Sequence, residues 1–458
     1  MARPASRTTS TPRHARFRRC TSREKKSGFT IVELLIVVVV IAILAAVTIV
    51  GYTGISQRAK ESAIKSALSS AAKQLGIYST DNGIYPQDRS VAGVHNPQQS
   101  TSQSYSATST TFCLSYSLDS KVFSITHEGV IKEVPCAGVT SSNVAGTGSG
   151  GATNGAGAVA QFTFPYDVTS DASGNLYIAD FNNHLVRKIT SAGVVSTLAG
   201  SGIGGNGDGT GTAAQFDNPA GIAVNSSGVV YVADVYNHRI RRITSAGVVT
   251  TFAGGTGGYA EGTGTAAQFN NPRGVAIDSA GSLYVADAFN HRIRKITSAG
   301  VVTTFAGSGT SGYQDGNGAT ARFAYPYGVA VDASGTVYVA DTNNHRIRKI
   351  TSGGVVSTLA GTGMSGYQDG NGATARFDTP YGIAVDESGV VYVADTNNNR
   401  IRKIQPSGDV TTLVGANSGY AEGSGTAALF NTPRGITITS AGVLYAADTN
   451  NHRIRKIE

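Results

Sequence analysis

Charge is scarce in this chain, at 14% of 458 residues, and cysteine is scarcer still, at three. Little charge together with 58 glycines argues against a disordered chain and for a turn-rich β protein, and the length predicts two or three domains. A net charge is also missing from most of the molecule. The formal +8 sits at one end: nine of the 37 bases and one of the 29 acids lie in residues 1–28, so the remainder carries 28 of each. A neutral body has no electrostatic bias toward nucleic acid, and no nucleic-acid partner is expected.

Next to the basic end lies an apolar run. From Leu34 to Val50 the only polar residue is Thr48, and adding Phe29–Val32 gives the length of about 20 residues that spans a hydrocarbon core. No small-residue cleavage site ends the run, which sets it apart from an ordinary secretory signal. Positive charge before it predicts a cytoplasmic N-terminus and an exported remainder. Cys20 then lies inside, while Cys113 and Cys136 lie outside, where disulfides persist and one pairing is open to them; two unpaired buried thiols are the alternative. Glu33 stands alone in the run. A lone carboxylate in lipid costs at least a few kcal/mol and calls for a partner.

The string Ser27-Gly28-Phe29-Thr30-Ile31-Val32-Glu33 resembles the processing site of type IV prepilins and pseudopilins. The resemblance implies that a prepilin peptidase removes a basic leader, residues 1–28, by cutting after Gly28, and that the freed amine of Phe29 is methylated. It also implies a partner for Glu33, the Phe29 ammonium of a neighbouring pilin-like subunit, so that Phe29 and Glu33 set the axial register of packed helices. Residues 57–78 continue without proline, predicting one assembly and transmembrane helix over 29–78, roughly 75 Å long at 1.5 Å per residue. Asp81-Asn82-Gly83 stops it. Strands over Phe112–Leu118 and Lys121–Ile125, beside Cys113 and Cys136, complete a small α+β pilin-like region, residues 29–136.

Beyond Cys136 the chain repeats. Prolines head the units at Pro165, Pro219, Pro272, Pro326, Pro380 and Pro433, and a Y-x-A-D string ends in Asp180, Asp234, Asp287, Asp341, Asp395 and Asp448; both series step by 54, 53, 54, 54 and 53. A period above 40 with several short strands per unit is the signature of propeller blades. In the fourth unit, GVAVD and TVYVAD alternate around an Ala-Ser-Gly turn, followed by HRIRKI and GVVSTLAG, which makes four strands with the least polar one lining the axis. The strings NHRIRKI and P-x-G-V-A-V-D resemble NHL repeats, which implies a six-bladed β-propeller over 137–458. The fold class is therefore mainly β, a six-bladed NHL propeller preceded by a long N-terminal helix and a small α+β region. The last unit ends at Glu458 without a fourth strand, and residues 138–146 echo SAGVVSTLAG, so they are expected to close the ring by pairing with the last blade.

Five of the eight histidines, His184, His238, His291, His345 and His452, recur at one position, but the fifth unit has Asn399 there. Equivalent positions on a ring lie too far apart to converge on one ion, so they read as turn residues satisfying local backbone groups. The D-G-N-G loops at Asp315 and Asp369 hold too few carboxylates for a complete calcium site. No metal and no cofactor is expected, with calcium the alternative.

The residue after each leading proline varies: Tyr166, Ala220, Arg273, Tyr327, Tyr381, Arg434. Tyrosine and arginine dominate binding hot spots, so Tyr166, Arg273, Tyr327, Tyr381 and Arg434 form the candidate ligand-binding set at the mouth of the axial channel, which Tyr259, Tyr313, Tyr367 and Tyr420 in the long loops could extend. The near-identity of the fourth and fifth units suits a surface better than a reaction centre, and no catalytic residue is assigned. The combined expectation is a minor or tip subunit of a type IV pilus-type filament, inserted in the cytoplasmic membrane before processing and displayed at the cell surface afterwards. Its propeller serves adhesion or capture of an extracellular protein or glycan. The alternatives are a membrane-tethered propeller enzyme, lactonase- or lyase-like, and a pseudopilin of a secretion or DNA-uptake system.

Overall fold

The computed structural model describes residues 139–458 and, by backbone alone, four strands between 103 and 132. The leader, Gly28, Phe29, Glu33, the expected helix over 29–78 and Cys136 lie outside the described residues. Among the described residues the helices are single 3-10 turns, and none is long and apolar enough to cross a membrane. The chain divides into two compact units, Met1–Cys136 and Ala137–Glu458.

In the first unit Gln103–Ala107, Phe112–Leu118, Lys121–Thr126 and Ile131–Lys132 form an antiparallel meander in chain order. Cys113 lies on its second strand, opposite Ser106 and Thr126.

The second unit is a ring of six antiparallel blades. Blade 1 comprises Pro165–Ser170, Leu176–Asp180, Leu185–Ile189 and Val194–Ala199, from axis to rim. Blades 2 to 5 repeat this order, with inner strands Pro219–Val224, Pro272–Ile277, Pro326–Val331 and Pro380–Val385. Blade 6 takes Pro433–Ile438, Leu444–Asp448 and Arg453–Ile457 from the chain's end and its outer strand, Thr140–Ala145, from the ring's beginning. Thr140 and Glu458 exchange backbone hydrogen bonds at 2.8 and 3.1 Å. Closure thus joins the two ends of the ring within one sheet and leaves no blade without a neighbour.

Apolar side chains on both faces of the blades fill the spaces between them, and the second strands are buried at nearly every position. Each of the six interfaces has its own core; Phe377, Ile383 and Val393 pack between blades 4 and 5, and Ala145, Phe162 and Ile178 between blades 6 and 1. The loops between blades also staple the ring. After leaving one outer strand, Gly209–Thr210 pairs with the outer strand of blade 2 and Gly262–Thr263 with that of blade 3.

A buried ion pair recurs in every blade. The aspartate ending the second strand accepts from an arginine on the third: Asp180 from Arg187, Asp234 from Arg241, Asp287 from Arg294, Asp341 from Arg348, Asp395 from Arg402 and Asp448 from Arg455, at 2.5–2.9 Å. All twelve side chains have no solvent exposure. Such burial is tolerable because most of the remaining hydrogen-bonding capacity is filled, the Nε of each arginine alone lacking a partner. In blade 1 Asp180 also accepts the Thr163 N–H and Asn183 Nδ2, while Arg187 donates to Gln161 O, Thr153 O and Asn154 Oδ1. Burial still pushes the carboxyls of Asp180, Asp287 and Asp395 up to about 6, against those hydrogen bonds and the arginine charge. The network ties the second and third strands to the loop that enters the blade.

Candidate functional site

Strand direction decides what shares a face. Each inner strand begins at its proline, the second strand ends at its aspartate, and the outer strand leaves toward the next proline, so the prolines, the 3-10 turns and the inter-blade loops all lie at one end of the ring. The hairpin turns lie at the other.

At the first end, the recurring histidines link neighbouring blades. Each sits in the left-handed region, at φ 50–54°, after its 3-10 turn. His184 Nδ1 accepts the Asn218 N–H at 3.2 Å, His238 that of Asn271 at 3.1 Å, His291 that of Tyr325 at 3.3 Å, His345 that of Thr379 at 3.1 Å and His452 that of Phe164 at 3.1 Å. In the remaining blade Asn399 does the same with its Oδ1, taking the Thr432 N–H at 2.9 Å. The residue donating each bond is itself left-handed, at φ 49–55°, and precedes the proline that starts the next inner strand. These side chains therefore satisfy backbone of the next blade, where the sequence suggested local backbone. The acceptor role requires Nδ1 to be unprotonated, and asparagine supplies an equivalent oxygen. Among the described residues no group of three His, Cys, Asp or Glu is arranged to hold a metal ion.

The loop tyrosines do not join the axial ring. Tyr259, Tyr313, Tyr367 and Tyr420 lie against Arg292, Arg346, Arg400 and Arg453, with guanidinium carbons 3.8–4.0 Å from the ring centroids, and remain partly exposed.

The five candidate residues at the mouth do come together. Tyr166 and Tyr381 hydroxyls hydrogen-bond across the axis, Arg273 Nη1 donates to the Tyr166 hydroxyl at 2.7 Å, and the Tyr327 and Tyr381 rings lie 4.4 Å apart. Arg434 sits 4.5 Å from the Tyr166 centroid and 5.0 Å from that of Tyr381; Arg273 lies 5.3 Å from Tyr327. Ala220, the small member of the ring, leaves room for the stacked Tyr166 and Phe181 rings, 4.6 Å apart. Burial raises the phenol pKa of Tyr381 and Tyr327, so both remain neutral hydroxyls.

Behind this cluster the axis holds a cavity of about 230 Å³, running along the inner strands past Asp167 and Thr169 to Val224, Ile277 and Val385. The inner strand is the last strand of every blade, so its unpaired backbone edge faces the axis. Adjacent inner strands approach closely, and a Cβ at Gly221 would collide with the Arg273 carbonyl, one at Gly328 with that of Tyr381. Five blades have glycine at this position. Blade 1 has Asp167, which accepts the Val168 N–H at 2.9 Å and the Ile222 N–H of blade 2 at 3.1 Å. Burial pushes its carboxyl up to about 7, with the two N–H bonds pulling the other way. Asp167 is the functional candidate that sequence reasoning missed. Its signal was the string PYDVTS standing where the other units have P-x-G.

A closed ring of six blades, each with the same buried Asp–Arg pair and inter-blade acceptor, defines an NHL-type β-propeller, and the family comparisons agree. The NHL repeat matches residues 162–189, 216–243, 269–296, 323–350, 377–404 and 430–457. The prokaryotic N-terminal methylation motif matches residues 23–49. The chain is an NHL-repeat propeller protein headed by that motif. NHL repeat-containing protein 2 of Bos taurus is 31% identical over 339 residues, 64% of this chain and 46% of the relative. Teneurin-4 of Mus musculus is 26% identical over 341 residues, 64% of this chain and 12% of the relative. The match thus spans less than half the length of these curated relatives. Among solved structures, an auxiliary nutrient binding protein from Bacteroides thetaiotaomicron superposes with a TM-score of 0.56 at 19% identity, covering 78% of this chain and 88% of that one. At that identity the likeness concerns the fold.

Proposed function

We propose that this chain is a pilin-like surface protein whose propeller is a ligand-binding platform, with the axial mouth as its site. The observation that carries the reading is the break in symmetry there. A ring built from near-identical blades places unlike residues, Tyr166, Arg273, Tyr327, Tyr381 and Arg434, around one end of a 230 Å³ cavity and nowhere else repeats them. Concave sites with a few convergent polar groups are where small ligands and partner side chains bind. The methylation motif supports delivery: it fits a membrane-processed, surface-assembled protein of the type IV pilin kind, recognised by a prepilin peptidase and joined to other pilin-like subunits through Phe29 and Glu33. The bulk of the propeller favours a minor or tip position in a filament, because about 320 further residues are hard to stack on every subunit. Alanine at Tyr327, Tyr381 and Arg434 together is expected to abolish capture of ligand or surface attachment by cells. Unchanged attachment would remove the axial mouth as the site.

A second reading, a tethered propeller enzyme, rests on Asp167, a single buried carboxyl in the axial cavity whose pKa of about 7 suits proton transfer. No second acid or histidine from another blade lines that cavity among the described residues, which leaves such a reaction without the partner that lactonase or lyase chemistry would use. Turnover abolished by Asp167→Asn with binding retained would favour the enzyme.

A further inference from the structure

The arginines of this propeller fall into two groups with different electrostatic surroundings. The six that stand third in the repeat string are each paired with a buried aspartate. Arg273 and Arg434 have no acidic partner among the described residues, although both line the axial cavity. Each guanidinium carries five N–H donors. Arg273 commits one of them, to the Tyr166 hydroxyl, and Arg434 commits none. Blades 3 and 6 face each other across a six-bladed ring, yet both cations reach the Tyr166 ring, at 5.6 and 4.5 Å from its centroid. Tyr327 and Tyr381, whose phenols burial pushes up, add no negative charge beside them. The one carboxyl in the cavity, Asp167, takes its hydrogen bonds from backbone N–H groups and not from either arginine.

Two half-buried cations held together on an aromatic floor repel each other and lack a counter-charge. An anion seated between them would remove that repulsion and use donors now idle, and guanidinium geometry matches a carboxylate in bidentate fashion. The rest of the cavity wall narrows the class further. It includes the unpaired backbone edges of the inner strands and the Thr169 hydroxyl, beside the apolar side chains. Hydroxyl groups satisfy such edges, and tyrosine faces stack on the C–H face of a sugar ring. The volume, about 230 Å³, admits a single small ring and not a polymer.

We propose that the axial cavity binds a small hydroxylated carboxylate of the sugar-acid class, its carboxylate seated between Arg273 and Arg434 and its hydroxyls on the inner-strand edges. The proposal rests on the axial mouth being the ligand site. It predicts that the ligand is recognised as a free acid or a terminal acidic residue.

The test uses the full chain in detergent with a panel of uronic and aldonic acids and their neutral parent sugars, read by thermal shift and then by calorimetric titration. Acids are expected to raise the melting midpoint while neutral sugars do not. Arg434→Gln is expected to weaken the acids at least tenfold in calorimetric titration, with each ligand-induced shift read against the variant's own ligand-free midpoint because Arg434 also packs on the Tyr166 and Tyr381 rings. If no acid binds, or if acids and neutral sugars bind alike and Arg434→Gln changes nothing, the anion seat is overturned. In the second case Tyr327→Ala separates the two readings: loss of binding keeps the axial site with a neutral ligand, whereas binding indifferent to both substitutions overturns the axial site as well.

Discussion

Asp167 of blade 1 accepts the backbone N–H of Ile222 in blade 2 at 3.1 Å, from a position where the other five blades have glycine. The contact places a titratable group on the axis of a ring that is otherwise closed by backbone, and its consequences are measurable in stability as well as in binding.

Burial raises the Asp167 carboxyl to about 7 from an ordinary value of 3.8. A raised folded pKa means that the native state holds the proton more tightly, so this group's contribution is complete below about 4 and is lost as pH rises toward 7. Asp167→Asn mimics the protonated form and keeps one acceptor for the Ile222 N–H. In urea titrations the stability of Asp167→Asn relative to the parent should therefore grow between pH 4 and 8, by up to about 4 kcal/mol. A difference independent of pH would show that Asp167 is ionised without cost.

The histidine acceptors act in the opposite sense. Burial lowers the pKa of His238, His291 and His452, for His291 with help from the Arg292 charge. A lowered histidine pKa contributes stability that is complete above about 6.5 and is lost as pH falls below it. The triple substitution of these residues by asparagine should flatten the acid side of the stability profile while leaving the value at pH 8 within about 1 kcal/mol, because Asn399 already fills this role in blade 5.

At a single blade the same logic separates acceptor from bulk. His345→Asn should be nearly neutral in denaturant midpoint, whereas His345→Leu leaves the Thr379 N–H without its partner and puts a branched apolar side chain at φ 50°, and should cost about 1–3 kcal/mol. Equal effects of the two substitutions would show that the hydrogen bond between blades contributes nothing.

The Asp–Arg pair gives the largest expected effect. Arg348→Met strands the Asp341 carboxylate in a fully buried site and should destabilise by about 3–5 kcal/mol. Adding Asp341→Asn to it should recover part of the loss, since the unpaired charge is then gone. A double variant as unstable as the sum of the singles would deny the coupling.

How much of this was legible in the sequence depended on how local the physical cause was. The blade count came from the spacing of Pro165 to Pro433, because each repeat must present the same strands to a neighbour. The closing strand was visible for a similar reason: the last repeat lacks one strand, and Thr140–Ala145 carries its pattern, over a slightly shorter span than 138–146. The role of His345 was only half visible, because its partner Thr379 is 34 residues away in the next blade, and the substitution by Asn399 was the one clue to an acceptor. Asp167 stayed hidden because a glycine-to-aspartate exchange has meaning only once inner strands are known to touch. The grouping of Tyr166 with Arg273, Tyr327, Tyr381 and Arg434 was readable from one varying position. That Arg434 has no counter-charge among the described residues was not, since acids elsewhere in the repeat could have reached it.

If a pilin-type N-terminus delivers a ligand-binding propeller to the outside of the cell, the propeller must be found there, and immunogold labelling of intact cells with antibody to the propeller decides the matter. Gold is expected at the cell surface and on filaments in the parent strain, and if Glu33 sets subunit register as proposed, the filament label is lost when Glu33 is replaced by alanine. Gold absent from the surface and from filaments in both strains would contradict delivery by this N-terminus.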